Sequence, residues 1–154
     1  MLGAIGAGVM SCQAIVTSVQ EVVNFKLWKQ YSLRRQQMAE SLRGRWDCPW
    51  VSNVAPGLRA LQDGFSYINL ESMANEVLLL HGTEEEHVRD MMQQGFDERL
   101  NRRTLYGRGV YLSCDACKAA QYCGHGSSGC IVIARALSQG HVRATSGLQA
   151  LIQA

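Results

Sequence analysis

The stretch Val77–Gly95, VLLLHGTEEEHVRDMMQQG, frames the reading of the rest of the chain. The continuous apolar run from Val77 to Leu80 reads as a buried strand. A His-Gly pair ends it. Thr83 and Glu86 then have the spacing of a capping box, and Glu84 and Glu85 lie where a helix dipole favours negative charge. Val88, Met91 and Met92 fall on one face, and Gly95 is placed to close the helix. The block predicts strand, tight turn, helix, with His81 and Gly82 at the junction.

The next organised block is Leu105–Cys123, LYGRGVYLSCDACKAAQYC. Gly107 and Gly109 bracket Arg108, so a glycine-permitted turn feeds a short strand through Val110, Tyr111 and Leu112. A helix is expected from about Asp115 to Cys123, then a flexible GHGSSG loop, then a buried strand from Cys130 to Leu137. Gln139-Gly140 turns the chain into HVRA.

Upstream, the Val, Ile and Thr content of Ala14 to Val23 predicts a strand. Asn24 is placed to cap a helix from Phe25 to Leu42, in which Leu27, Trp28, Tyr31, Met38 and Leu42 recur at helical spacing and read as core. Gly44 ends it. From Arg45 to Asn75 the pattern dissolves and offers no chemistry. Residues 1–13 read as a disordered N-terminal segment.

A chain of 154 residues, 47% of them hydrophobic, suffices for one domain with a real core. A formal charge of +2 is too mild for a phosphate-backbone binder. The first residues, MLGAIGAGVMSC, lack a basic start and are broken by glycines, so they make neither a signal peptide nor a membrane span. Four of the six cysteines crowd between Cys114 and Cys130, unlike a disulfide framework. The expectation is an intracellular protein, cytoplasmic or nuclear, with reduced thiols, no membrane partner and no metal.

In order and local sequence, LLHGT and the block ending in Tyr122 resemble the catalytic domain of the poly(ADP-ribose) polymerase family, especially its mono-ADP-ribosylating and tankyrase-like branches. The run from Val16 to Met38 and VIARALSQGHVRA share the resemblance. It implies an α+β, ADP-ribosyltransferase-like fold with antiparallel-rich sheets around an NAD cleft, spanning residues 1–154 as one domain that is incomplete at the C-terminus. The implied activity is mono-ADP-ribosyl transfer from NAD with release of nicotinamide to a protein acceptor, with a nucleic-acid end as an alternative.

By motif position, the resemblance makes His81 a ribose-binding residue and, with Tyr111, a catalytic one. Gly82 would clamp the carboxamide through its backbone, and Tyr111 and Tyr122 would hold the nicotinamide ring by stacking and cation–π attraction. Thr83, Arg99, Tyr106 and Ala119 complete the implied NAD site, Arg99 and Tyr106 from the loop that folds over NAD in the family.

Two departures bear on activity. Ala119 stands where the family commonly has a serine hydroxyl, a loss worth about 0.5–1.5 kcal/mol of binding. After Asp115 the sequence contains no Asp or Glu, so the third catalytic position, where a carboxylate would stabilise an oxocarbenium-like ribose, is absent. With it would go the strands that complete the sheet, leaving an unpaired edge. That implies either a truncated transferase or a degenerate, non-catalytic module that binds NAD or ADP-ribose. A different reading takes Cys114, Cys117, Cys123, His125 and Cys130 as a small zinc site.

Overall fold

The computed structural model describes residues 15–45, 69–100, 109–124, 129–138 and 149–152, together with Leu58, Ala60 and Asp63. Helix α1 runs from Phe25 to Leu42, and the Asn24 side chain accepts the Leu27 amide at its start. Gly44, with φ of 77°, takes the left-handed turn just beyond the helix. Met38 and Leu42 bury themselves against Ala74, which fastens the C-terminal half of α1 to the short 3-10 turn Ser72–Ala74.

Among the described residues, four strands form an antiparallel sheet in the order β3-β1-β2-β4: β1 Glu76–Thr83, β2 Val110–Ser113, β3 Cys130–Leu137 and β4 Gln149–Ile152. The apolar run in β1 is covered on both faces. Val77 and Leu79 pack with Val110, Leu112, Ala134 and Ala136, while Leu78 and Leu80 pack with Leu58 and Ala119. Helix α2, Glu85–Gln94, follows β1 and ends at Gly95, whose φ is 83°. The Asn24 amide donates to the carbonyls of Met92 at 2.9 Å and Gln93 at 3.2 Å. One side chain thus serves the start of α1 and the end of α2.

Several expectations give way to tertiary context. Ile15 to Val23 form no strand and lie largely exposed, because no described strand runs alongside to complete a ladder. Thr83 does not cap α2. Pairing with β3 continues through Thr83 opposite Cys130, which holds Thr83 in the strand, buried, and moves the cap to Glu84. Glu84 makes no side-chain cap bond, although Glu85 and Glu86 still face the positive end of the dipole.

The helix after β2 is shorter than its pattern suggests. Helix α3 spans Ala116–Ala120 and is capped by Asp115, which accepts from the amides of Cys117 and Lys118. Strand β3 has the expected bounds, yet as a sheet edge it buries Ala134 and Ala136 and leaves Ile131 and Ile133 partly exposed. Strand β4 pairs with β2 and forms the outer strand on that side of the described sheet. Residues 1–13, most of 46–68, residues 125–128 of the GHGSSG loop and the HVRA segment lie outside the described residues.

Trp28 is not core. Its ring stacks on Tyr31 with centroids 5.8 Å apart, and the guanidinium groups of Arg35 and Arg135 lie 5.5 and 5.1 Å from its centroid. Beneath this layer sits the carboxylate of Glu76, 0% exposed. It accepts from the Tyr31 hydroxyl at 2.7 Å, from Arg135 at 2.8 and 3.1 Å and from the Glu71 amide at 2.6 Å, with Arg35 at 3.5 Å. Burial alone would raise its pKa. The Arg135, Glu71 and Tyr31 hydrogen bonds outweigh burial and hold it below the ordinary carboxylate value. Burial and Glu76 together push the Tyr31 phenol far up.

Candidate functional site

The site is built where β1 and β2 part. Strand β1 pairs with β3 along its whole length but meets β2 at Leu80 opposite Ser113. Continuing that register by two positions would set Gly82 opposite Tyr111. Instead, the His81 side chain crosses the gap, with Nδ1 2.8 Å from the Tyr111 carbonyl oxygen. A carbonyl only accepts, so Nδ1 carries the proton.

Burial lowers the His81 pKa and the Tyr111 hydrogen bond only partly opposes it, so the ring is neutral near pH 7. Neutral imidazole protonated at Nδ1 leaves Nε2 as a lone-pair acceptor, suited to a hydroxyl donor. Phe96 meets the ring edge-on at 5.2 Å between centroids and restrains its tilt.

Gly82 is constrained from the opposite side. A Cβ there would overlap the carbonyl of Ala119 and stand 3.3 Å from the Cys123 sulfur. The glycine is therefore required by close packing of α3 on β1, a demand separate from the ligand clamp implied by its motif. Ala119 itself is buried with Leu78 and Leu80, and its carbonyl accepts the Tyr122 amide at 3.0 Å. Through that one residue α3 fixes Tyr122 relative to Gly82.

Tyr122 is 38% exposed and carries the Lys118 ammonium over its ring, 5.5 Å from the centroid. Lys118 also donates to Gln121 at 3.1 Å. The ring thus holds a cation through the same interaction that a pyridinium ring would exploit. Tyr111 is half-buried on β2.

The structure therefore links His81 to Tyr111 across β1 and β2, and Gly82 to Ala119 and Tyr122 across β1 and α3, while Thr83 follows Gly82 on β1 and pairs with Cys130. It does not bring Arg99 to them by any bond of its side chain. Arg99 lies in the 3-10 turn Glu98–Leu100 and forms a bidentate pair with Asp97 at 2.8 and 2.7 Å. That pair holds the Asp97 carboxyl down at about 2. Tyr106 lies outside the described residues.

Among the described residues, the four cysteines from Cys114 to Cys130 are free thiols and form no cluster of three or more ligand atoms; His125 is outside them. Glu84, Glu86 and His87 do converge, but all three are exposed. Two features escaped the sequence reading. The Glu76 network was signalled only by a charged residue opening a buried strand. The Phe96 contact to His81 was signalled by an aromatic just past the closing glycine.

The family model described as poly(ADP-ribose) polymerase catalytic domain matches residues 4–140. No curated protein matches the chain significantly.

Proposed function

The chain belongs to the poly(ADP-ribose) polymerase catalytic-domain family, and from that premise we propose that the gap between β1 and β2 takes NAD, with mono-ADP-ribosyl transfer as its chemistry. The family supports NAD-dependent ADP-ribosyl transfer in general. The observation that supports NAD in this gap is His81. Its Nδ1–H is committed to Tyr111 and its pKa is depressed, which leaves Nε2 to accept a ribose hydroxyl.

On this reading Gly82 offers its backbone to the carboxamide, and the faces of Tyr111 and Tyr122 hold the nicotinamide. Cleavage of the bond between nicotinamide and ribose leaves positive charge on the sugar. Neutral His81 helps by accepting a hydrogen bond from a ribose hydroxyl at Nε2 without placing a second cation beside the sugar. The alanine at 119 supplies no hydroxyl to the carboxamide. A protein side chain is the acceptor proposed.

The test is thermal-shift titration with NAD and with a neutral nicotinamide mimic, using His81→Asn and Tyr122→Ala. At a ligand concentration 100 times Kd, each ligand should stabilise the wild type by about 2.7 kcal/mol. Asparagine at 81 keeps a donor for the Tyr111 carbonyl but removes the acceptor. His81→Asn should therefore lose the response to NAD and keep the response to the mimic, while Tyr122→Ala loses both. Equal loss of both ligands in His81→Asn, or no response in folded wild type, overturns the assignment.

A further inference from the structure

We propose that Cys123 and Cys130 form a redox-modification site, closing an intramolecular disulfide beside Gly82 by exchange with a low-molecular-weight disulfide. The two cysteines already meet at the base of a loop. The Cys123 thiol donates to the Cys130 carbonyl at 3.2 Å. A Cβ on Gly129 would overlap the Cys123 side chain, so the returning chain lies directly on Cys123 and only glycine fits there.

Both partners are anchored. Cys130 opens β3 and pairs with Thr83, and the Cys123 amide donates to the Ala120 carbonyl at 3.1 Å at the end of α3. With 3.2 Å from sulfur to carbonyl oxygen, the Cys123 sulfur lies within about 6 Å of the Cys130 Cα. The bond asks for the Cys130 side chain to turn toward that sulfur, and with the two residues held this close much of the loop-closure entropy has been spent in folding. Both thiols are free and half-buried, within reach of a small oxidant.

The chemistry balances in two exchanges. The Cys123 thiolate attacks one sulfur of the small disulfide, forming a mixed disulfide and releasing one small thiolate. The Cys130 thiolate then attacks the Cys123 sulfur, forming the protein disulfide and releasing the second. Two protein thiols are oxidised, one small disulfide is reduced to two thiols, and the two protein protons end on those thiols. Burial, then Cys123 and Glu85, push the Cys130 thiol up. The second exchange is accordingly slow at neutral pH and accelerates as pH rises.

The site stands apart from the NAD reading and is tested without any nucleotide. The native chain is incubated with oxidised glutathione, quenched in acid and mapped by peptide mass spectrometry. The expected product is a Cys123–Cys130 cross-linked peptide, in yield roughly tenfold above that from the same chain in denaturant, because folding raises the effective concentration of the two thiols. Cys117→Ser should keep the cross-link, and Cys123→Ser should leave Cys130 free or glutathionylated. Glutathione adducts on both cysteines without a cross-link, pairing to Cys117, or equal yields from native and denatured chain would each overturn the proposal. The wild-type comparison keeps the test decisive even if a serine variant folds poorly.

Discussion

Replacing Glu76 by alanine should be among the most destabilising single changes in this chain, and the reason lies in what remains behind. The carboxylate is 0% exposed and is the common acceptor for Tyr31, Arg135 and the Glu71 amide, with Arg35 at ion-pair distance. Its removal leaves two guanidinium groups beside one another. Breaking a fully buried ion pair costs about 3–5 kcal/mol. Arg35 and Arg135 are 27% and 25% exposed, so water recovers part of their hydration. The expectation is therefore about 2–4 kcal/mol, or roughly 4–16 °C in Tm for a chain of this size. Glu76→Gln keeps the shape and loses the charge, and should fall between wild type and alanine.

The assay is urea unfolding at neutral pH followed by circular dichroism, with m compared between variants to confirm that the same surface is exposed. Because the folded pKa of Glu76 is depressed below its ordinary 4.5, the stability it gives is present above that value and is lost as pH falls through the folded pKa. Wild type should therefore lose stability below pH 4.5 more steeply than Glu76→Gln. If Glu76→Ala unfolds within about 0.5 kcal/mol of wild type, the network does not hold the fold together.

Histidine 81 makes a separate acid-side prediction. With its folded pKa below the ordinary 6.5, the unfolded chain binds the proton first, so stability declines as pH falls from 6.5 toward the folded value. His81→Asn should remove that upper window and spare the lower one, and nitrogen-15 shifts of wild type should show protonation at Nδ1. Asn24→Ala should cost about 1–2 kcal/mol, since it removes the cap of α1 and both donors to the end of α2; urea unfolding measures it. Asn24→Asp should keep the α1 cap yet set a carboxylate against the Met92 and Gln93 carbonyls, which places its loss near that of alanine. Lys118→Met frees the Tyr122 ring of its cation. Calorimetry should show NAD binding tightened about 2- to 5-fold, the equivalent of 0.5–1 kcal/mol, with a neutral nicotinamide mimic nearly unchanged.

What was legible in the sequence is what local chemistry decides. Asn24 before an amphipathic run, four apolar residues before His81, and Gly95 after a periodic stretch each specify an element with little help from afar. What was not legible depends on partners distant in the chain. Trp28 has the spacing of a core residue, but its position is set by Arg135 on β3, whose guanidinium reaches Glu76 and takes the indole with it. Thr83 carries a capping signature, yet eight consecutive pairings with β3 outweigh one side-chain hydrogen bond. Ile15 to Val23 have strand composition without a described neighbouring strand, and composition supplies no ladder. For the site, the LLHGT string announced a strand before His81 and Gly82 but ended it too early, since both pair with β3 inside β1 where the string suggested a turn, whereas nothing local to Arg99 offered a means of choosing between a ligand and Asp97.

Gly82 shows how two demands meet in one residue. Its motif assigns it to a ligand, while its surroundings require glycine for packing, because the Ala119 carbonyl occupies the space of any Cβ. These demands are coupled: the carbonyl that excludes a side chain at Gly82 also accepts the Tyr122 amide and thereby sets the distance between strand and ring. Gly82→Ala should consequently cost stability by about 1–3 kcal/mol through overpacking before any ligand is added. A loss of nicotinamide binding in that variant alone would not assign the backbone clamp. The separating measurement is binding at a temperature where Gly82→Ala is fully folded. If affinity for the neutral mimic falls there by more than about tenfold, α3 and Tyr122 have moved with the carbonyl or the clamp itself is gone. If affinity is retained, the glycine serves packing and the ligand assignment of Gly82 is wrong.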